Sequence, residues 1–179
     1  MSKAHQPSSL PDAAARKRAL LDYSTTLLVE AGAGSGKTAL MAGRVALMLA
    51  NGIPPRDIVA ITFTEPAAGE LLERIERFVT SLAAGAVPAD LKCALGAKLA
   101  PDKRVAVRVA AETLNEITCT TIHGFCQQLI KPYPIEAGID PGAAIIDPAA
   151  ADLAYQELMT AWLSARLGHA LMMVLDVFR

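Results

Sequence analysis

The sequence predicts an α/β protein built on a parallel sheet with helices packed against it. Apolar, β-branched runs alternate along the chain with stretches of helical periodicity, which is the pattern of repeated strand–helix units. Each of the three clearest runs ends in glycine-rich, polar or aromatic residues; these runs are Thr25–Glu30, Ile58–Phe63 and Glu116–Thr121. Hydrophobic residues make up 53% of the 179-residue chain and aromatic residues only 4%, so we expect helices and a buried sheet built from Ala, Leu, Val and Ile.

Charge and cysteine content narrow the functional classes. With 17 Lys and Arg against 18 Asp and Glu the net charge is -1, so any contact with nucleic acid must be local. Cys93, Cys119 and Cys126 show no Cys-x-x-Cys spacing, which argues against a zinc or disulfide framework and favours a reducing, cytoplasmic setting. Residues 1–18 lack the apolar core of a signal peptide, and the apolar run 170–175 is too short to span a bilayer.

The first elements lead up to a glycine-rich turn. We expect residues 1–10, which are polar and contain Ser and Pro, to be a disordered lead-in. Asp12 is the predicted N-cap of a helix over 13–21, and the basic trio at 16–18 is interpreted as a solvated face of that helix. The β-branched and apolar run Thr25–Glu30 then predicts a buried strand.

The glycine-rich turn that follows this strand has the pattern of a phosphate-binding loop. It matches G-x-x-x-x-G-K-[ST] except at its first position, and its residues are Ala31, Gly32, Ala33, Gly34, Ser35, Gly36, Lys37 and Thr38. Small residues let backbone N–H groups close around an anion at the positive end of the next helix. Lys37 is expected to reach the β/γ-phosphates of a nucleotide, and Thr38 to bind Mg²⁺ through its hydroxyl. A helix start with a chance Lys-Thr pair is the weaker interpretation.

The rest of the chain repeats the strand–helix pattern. Asn51-Gly52 ends the helix predicted over 36–50, and the run Ile58–Phe63 predicts an interior parallel strand. Pro66 is tolerated in the first turn of the helix predicted over 67–82. The later predicted elements are a looser insertion at 83–101, a helix at 102–114, a strand within 116–125 that ends in the polar and aromatic tip 121–125, a helix after it to about 131, an irregular crossing at 132–142, a short strand at 144–147 and a helix from 148.

Three motifs in this chain resemble those of the superfamily 1 DNA helicases of the UvrD/Rep type, and most closely those of the RecB/AddA branch. They are AGAGSGKT at Ala31–Thr38 for motif I, ITFTEPAAGELLERI at Ile61–Ile75 for motif Ia, and TIHGFC at Thr121–Cys126 for motif Ib. The run YPIEAGIDPGAAIID at Tyr133–Asp147 is a weaker similarity. Because the carboxyl ends of parallel strands meet at one edge of a sheet, we expect the three motifs on the same side.

The resemblance implies a P-loop NTPase (RecA-like) parallel sheet flanked by helices. Residues 11–147 would form a partial ATP-binding lobe with a helical insertion at about 83–114. Residues 148–179 would begin an inserted helical subdomain. It implies ATP and Mg²⁺ as ligands, single-stranded DNA as partner, and a nuclease or helicase partner subunit in DNA repair. The residues implied along the DNA path are Thr62, Phe63, Thr64, Thr121, His123 and Phe125. Hydroxyls suit phosphates and rings suit bases. For Phe63 a core position stays open, and for His123 a capping or packing role.

Two positions depart from the family pattern. Pro66 stands where many of these helicases carry a basic residue in motif Ia, which removes one phosphate contact and lowers the expected salt dependence of DNA binding. Arg16 stands where many UvrD-type members carry a glutamine that recognises adenine. Selectivity for adenine is therefore implied by the resemblance alone.

The acidic motif that this family needs for Mg²⁺ and for the attacking water is not present, because the chain contains no Asp-Glu dipeptide. Asp176, which follows an apolar run, is interpreted as lying at a helix end or in a divergent tail rather than as a metal ligand. We therefore expect an N-terminal piece of a helicase that binds nucleotide weakly, does not act as a motor, and self-associates through an unpaired sheet edge. The alternatives are a small P-loop kinase or phosphotransferase, with Asp176 holding the metal, and a non-catalytic adaptor.

Overall fold

The computed structural model describes residues 12–143 and 146–177, with side chains described as far as residue 167. The chain divides after Lys131 into two compact units, and each is described by itself. In the first unit the regular elements, in chain order, are α1 (Ala13–Leu21), α2 (Lys37–Ala50), β1 (Val59–Thr62), α3 (Glu65–Ala84), α4 (Lys92–Leu95), α5 (Pro101–Glu112), β2 (Thr118–Thr121) and α6 (Ile122–Ile130). These bounds confirm the predicted helices to within a few residues.

Strands β1 and β2 pair in parallel, as the strand–helix alternation predicts. Their register aligns Val59 with Thr118 and Thr62 with Thr121, so both strands end at the same level. The alternation along β1 buries Ala60 and leaves Val59 and Ile61 exposed on the other face. The expectation of an interior strand buried on both faces is therefore corrected: one face of this two-stranded sheet packs on helices and the other is an exposed apolar surface.

The predicted strand at Thr25–Glu30 is wrong in the described structure. Residues 26–30 have no regular secondary structure, and no described strand pairs with them. A strand exists only where a neighbouring backbone completes its ladder of hydrogen bonds, and β-branched composition alone does not supply one. Leu28 and Val29 are consequently exposed rather than buried. The short strand predicted at 144–147 lies partly outside the described residues, and residues 146–147 are not in a strand.

The core of the first unit lies where α2, α3 and α5 pack against one another. Apolar residues three or four positions apart on α3 form its buried stripe, as expected for a helix with one face on a core. Leu72, next to the buried Leu71, is only half-buried. The largest fully buried side chains are Leu20, Leu47, Leu49, Leu71, Ile75, Leu82, Leu91, Val79 and Val107.

Arg44 of α2 holds the C-terminal end of α1 in place. Its guanidinium donates to the carbonyl oxygens of Ala19 and Asp22, the latter at 2.8 Å, and lies 5.0 Å from the centroid of the Tyr23 ring. Carbonyl groups at a helix C-terminus have no partner within the helix, so a cation there is favourable. Helix α1 is thereby fixed against the helix that follows the glycine-rich loop.

The second unit consists of turns at 132–143 followed by α7 (Pro148–Val177). Asp176 is helical, within α7, and its position at a helix end stays a prediction. The described part of α7 exposes several large apolar side chains, among them Trp162, over which Arg166 lies at 5.0 Å from the ring centroid. Among the described helices, none alone is long and apolar enough to cross a membrane; α3 meets that test only jointly with Ala89–Leu95, across an 80° bend.

Candidate functional site

The loop between Glu30 and α2 has the backbone geometry of an anion-binding turn. Gly34 and Gly36 have φ angles of +74° and +87°, in the left-handed region that residues with a Cβ rarely adopt. Ser35 closes the turn, because both its N–H, at 3.4 Å, and its hydroxyl, at 2.7 Å, donate to the carbonyl oxygen of Gly32. The glycines at 34 and 36 are therefore required by the turn, and Gly36 is the N-cap position of α2.

Lys37 lies directly against this loop. Its Nζ donates to the carbonyl oxygen of Ala31 at 2.8 Å and to that of Gly32 at 3.4 Å. The side chain is exposed, so the ammonium is accessible to a ligand. A phosphate placed at the N-terminus of α2 would meet this cation together with the free N–H groups of the first helical turn, which is the arrangement that the sequence predicts.

Arg16 is a contact of the loop that the sequence interpretation missed. Its Nη2 donates to the carbonyl oxygen of Ser35 at 3.0 Å, and its Nε donates to Asp12 Oδ2 at 2.7 Å. The assignment of the whole basic trio to solvent is thus corrected: Arg16 is half-buried, while Lys17 and Arg18 are exposed. The spacing of Arg16 in the sequence could have indicated this contact. Arg16 lies four residues before the buried Leu20 and therefore on the same face of α1.

A cavity of about 290 Å³ opens beside the loop. Arg16, Arg18 and Lys37 line it together with Asp12 and residues 27–31. Three cations, the carboxylates of Asp12 and Glu30, and an apolar wall thus face one space next to the glycine turn. This is a chemically suitable surrounding for a ligand that carries both phosphates and a less polar part.

Thr38 fits the role of a magnesium ligand that depends on nucleotide phosphates. It is half-buried in the first turn of α2. No cluster of three or more His, Cys, Asp or Glu side chains able to hold a metal occurs among the described residues. Mg²⁺ commonly takes one or two protein oxygens and completes its shell with phosphate and water, so a single hydroxyl at this position suits it.

The tip of β1 exposes one aromatic ring and uses its two hydroxyls internally. Thr64 is the N-cap of α3, since its Oγ1 accepts from the backbone N–H of Ala67 at 3.3 Å, and the Thr62 hydroxyl donates to the Thr64 carbonyl oxygen at 3.0 Å. Phe63 between them is 87% exposed. The open alternative of a core position for Phe63 is therefore excluded, and its ring is free to contact a ligand.

The tip of β2 is arranged differently. Thr121 is only 6% exposed; its Oγ1 donates to Glu65 Oε1 at 2.9 Å and accepts from the Gly124 N–H at 3.1 Å, which makes Thr121 the N-cap of α6. The capping role left open for His123 thus belongs to Thr121, and the His123 side chain is exposed while Phe125 is half-buried. Contact of these residues with DNA stays a prediction.

Parallel pairing places the tips of β1 and β2 at the same edge, as the sequence predicts. The glycine loop was expected to follow a strand of the same sheet, but residues 26–30 before the loop are not part of the described sheet. The connection runs through helix packing: α2, which begins in the loop, packs along α3, which begins at the β1 tip.

Comparison with known proteins gives a consistent family. The family model described as the UvrD/REP helicase N-terminal domain matches residues 13–171. Proteins named as subunits of an ATP-dependent helicase/nuclease are similar to this chain: the one from Moorella thermoacetica is 35% identical over 137 residues, and the one from Limosilactobacillus fermentum is 31% identical over 160 residues. These matches cover 74% and 82% of this chain, but only 9% and 10% of the relatives. The chain therefore spans about a tenth of the length of the curated relatives it matches.

Proposed function

The chain belongs to the family of UvrD/REP helicase N-terminal domains, and from this premise we propose that it is the ATP-binding portion of an ATP-dependent DNA helicase. In the complete protein, ATP hydrolysis would drive translocation on single-stranded DNA during repair or recombination. The similar proteins are named as subunits of a helicase/nuclease, which supports a partner chain for that complete protein. We place the protein in the cytoplasm, where its free thiols at Cys93, Cys119 and Cys126 remain reduced.

The observation that carries this proposal is the glycine turn with its lysine. Left-handed backbone at Gly34 and Gly36 shapes the turn, and the Lys37 ammonium lies against the carbonyl oxygens that begin it. Lys37 would exchange these carbonyl contacts for the β/γ-phosphates, a stronger charge-assisted interaction. Mg²⁺ bound through Thr38 would neutralise developing charge on the transferred phosphoryl group, and the role of this chain is to fix the phosphates.

The edge formed by the β1 and β2 tips is the proposed path of single-stranded DNA. Phe63 offers a ring for base stacking, while His123 and the exposed N-terminal turn of α6 offer polar groups for phosphate. Thr62, Thr64 and Thr121 support this edge through their own hydrogen bonds. Pro66, which stands where many of these helicases carry a basic residue, removes one phosphate contact and favours a weak salt dependence.

We propose that these 179 residues alone do not turn over ATP appreciably. A motor of this kind closes ATP between two lobes, and the second lobe supplies arginine to the developing charge. Residues 11–147 would form part of the first lobe and 148–179 the beginning of a helical subdomain. The apolar face of Val59 and Ile61, together with the exposed segment at 28–29, favours self-association of the isolated chain.

Nucleotide binding and turnover of the purified chain test the proposal. Fluorescent ATP and Mg²⁺ are titrated into the wild type, Lys37→Ala and Lys98→Ala, the last removing an exposed lysine outside the loop. Loss of the phosphate contact should weaken binding at least about tenfold in Lys37→Ala, while Lys98→Ala binds like the wild type. Equal affinity of all three proteins would refute the site. ATPase is measured with and without oligo-dT, and robust DNA-stimulated turnover would refute the claim that this chain is inactive as a motor.

A further inference from the structure

We propose that Glu65 is a positioning residue that couples the tips of β1 and β2 into one unit, an inference that rests on the proposed function in assigning this edge to DNA. Glu65 is the first residue of α3 and directly follows the β1 tip. Its Oε1 accepts a hydrogen bond from Thr121 Oγ1, at the end of β2, at 2.9 Å. Nothing in the motif pattern assigned a role to this carboxylate.

The hydrogen bonds of the Thr121 hydroxyl show why its contact with Glu65 matters. The hydroxyl has a single proton, which it donates to Glu65, and it accepts from the N–H of Gly124 to cap α6. Thr121 is 6% exposed, whereas Glu65 is exposed, so truncation at position 65 opens the Thr121 hydroxyl to water. Removing the acceptor therefore exchanges a hydrogen bond within the protein for one to water at the residue that starts α6.

The start of α6 is also fixed from the other side. A Cβ built on Gly124 would overlap the hydroxyl of Thr120, so the backbone of α6 lies in close contact with the end of β2. The thiol of Cys119 lies 3.3 Å from the carbonyl oxygen of Ala68, which adds a second link between β2 and α3. The Glu65 carboxylate adds a side-chain link between this turn and the β1 tip to the backbone pairing that aligns Thr62 with Thr121.

The consequence for the proposed DNA edge is geometric. Phe63 is presented two residues before Glu65, and His123 two residues after Thr121, so this hydrogen bond acts together with the pairing of Thr62 and Thr121 to fix the spacing of the two tips. A preformed spacing lowers the ordering cost when a strand binds both tips. Glu65 thus contributes to affinity although its negative charge faces the edge at which a polyanion would bind.

Two substitutions separate the hydrogen bond from the charge. Glu65→Gln and Glu65→Ala remove the same negative charge, but only glutamine keeps an acceptor for Thr121. The first readout is amide hydrogen exchange in the full chain, comparing α6 with α2 as an internal reference. We expect α6 amides to exchange about fivefold faster in Glu65→Ala than in Glu65→Gln, with α2 unchanged, because one net hydrogen bond separates the variants. Thr121→Ser, which keeps the hydroxyl, should behave as the wild type.

The second readout is binding of a fluorescent oligo-dT at fixed salt. Glu65→Gln should bind about fivefold more tightly than Glu65→Ala, which is the ratio that the lost hydrogen bond supplies. Equal exchange of α6 in the two variants, or a parallel change in α2, would overturn the inference. If exchange differs as expected while the wild type binds no oligo-dT, the coupling stands and the proposed function fails.

Discussion

Replacement of Arg16 by alanine tests the unexpected contact between α1 and the glycine loop. The substitution removes the hydrogen bond to the Ser35 carbonyl oxygen, 3.0 Å long, and the ion pair with Asp12, 2.7 Å long. It leaves Lys37 and the glycines untouched. We expect the loop to sample other conformations in this variant. Part of the free energy of nucleotide binding would then be spent on ordering the loop, which lowers the nucleotide affinity.

The size of the effect follows from the exposure of the two interactions. The side chains of Arg16 and Asp12 are 31% and 50% exposed, so the ion pair contributes at most about 1 kcal/mol. The hydrogen bond to Ser35 has a charged donor and is partly buried. Hydrogen bonds to charged groups contribute about 1.5–3 kcal/mol, and we take the low end of this range, about 1.5 kcal/mol. Taking this second contribution alone, nucleotide affinity should fall about tenfold in Arg16→Ala.

A comparison variant lies two residues further along α1. Arg18 also lines the cavity and pairs with an aspartate four residues away, Asp22, at 3.4 Å, but it is 67% exposed and donates to no loop carbonyl. Arg18→Ala should therefore weaken binding of fluorescent ATP clearly less than Arg16→Ala does. Circular dichroism of both variants checks that α1 persists, since each loses one helical ion pair.

Arg16→Lys distinguishes positioning of the loop from simple attraction of phosphate. Lysine keeps the charge but lacks the planar fork that donates to Ser35 and Asp12 at once, so it should restore only part of the lost affinity. Full rescue by lysine, together with disappearance of the effect at high salt, would show that Arg16 acts as a charge alone. Equal losses in Arg16→Ala and Arg18→Ala would refute the reasoning altogether.

Two further predictions concern packing and thiol reactivity. Gly43→Ala places a Cβ 2.6 Å from Leu91 Cδ2, so it should lower the free energy of unfolding, measured by chemical denaturation, by about 1–2 kcal/mol. Gly69→Ala meets no atom within 4 Å and should raise the free energy of unfolding by about 0.5–1 kcal/mol. Stabilisation by both substitutions would contradict the packing at Gly43. Burial raises the pKa of the Cys119 thiol above its ordinary 9.0. Its thiolate therefore forms only at higher pH, and mass spectrometry should show slower alkylation at pH 8 than for exposed Cys93; equal rates would contradict this.

The helices were predictable because their ends carry local chemical signals. Asp12 precedes α1, Asn51-Gly52 follows α2, and Pro66 occupies the first turn of α3. Signals of this kind act within a few residues and do not depend on the rest of the fold. The glycine loop was predictable for the same reason, since its left-handed positions, Gly34 and Gly36, are set by local sterics.

The contacts that the sequence did not reveal connect residues far apart in the chain. Arg16 and Ser35 are 19 positions apart, and Glu65 and Thr121 are 56 apart. The prediction at Thr25–Glu30 failed for a related reason, because strand propensity is local whereas a ladder needs a second backbone. Arg16 was missed because residues 16–18 were treated as one exposed basic group. Successive residues of a helix point about 100° apart, so three consecutive side chains cannot share one environment.

The glycine loop and the tips of the sheet are thus held by separate sets of contacts. The loop is fixed by Arg16 from α1 and by the hydrogen bonds of Ser35, with no support from a paired strand within the described residues. The tips are fixed by the pairing of β1 with β2 and by the hydrogen bond between Glu65 and Thr121. In the described part of the first unit, the packed pair α2 and α3 joins these two parts, since one helix begins at each. A shift of the loop on nucleotide binding would therefore reach the proposed DNA edge as a displacement of α2 against α3.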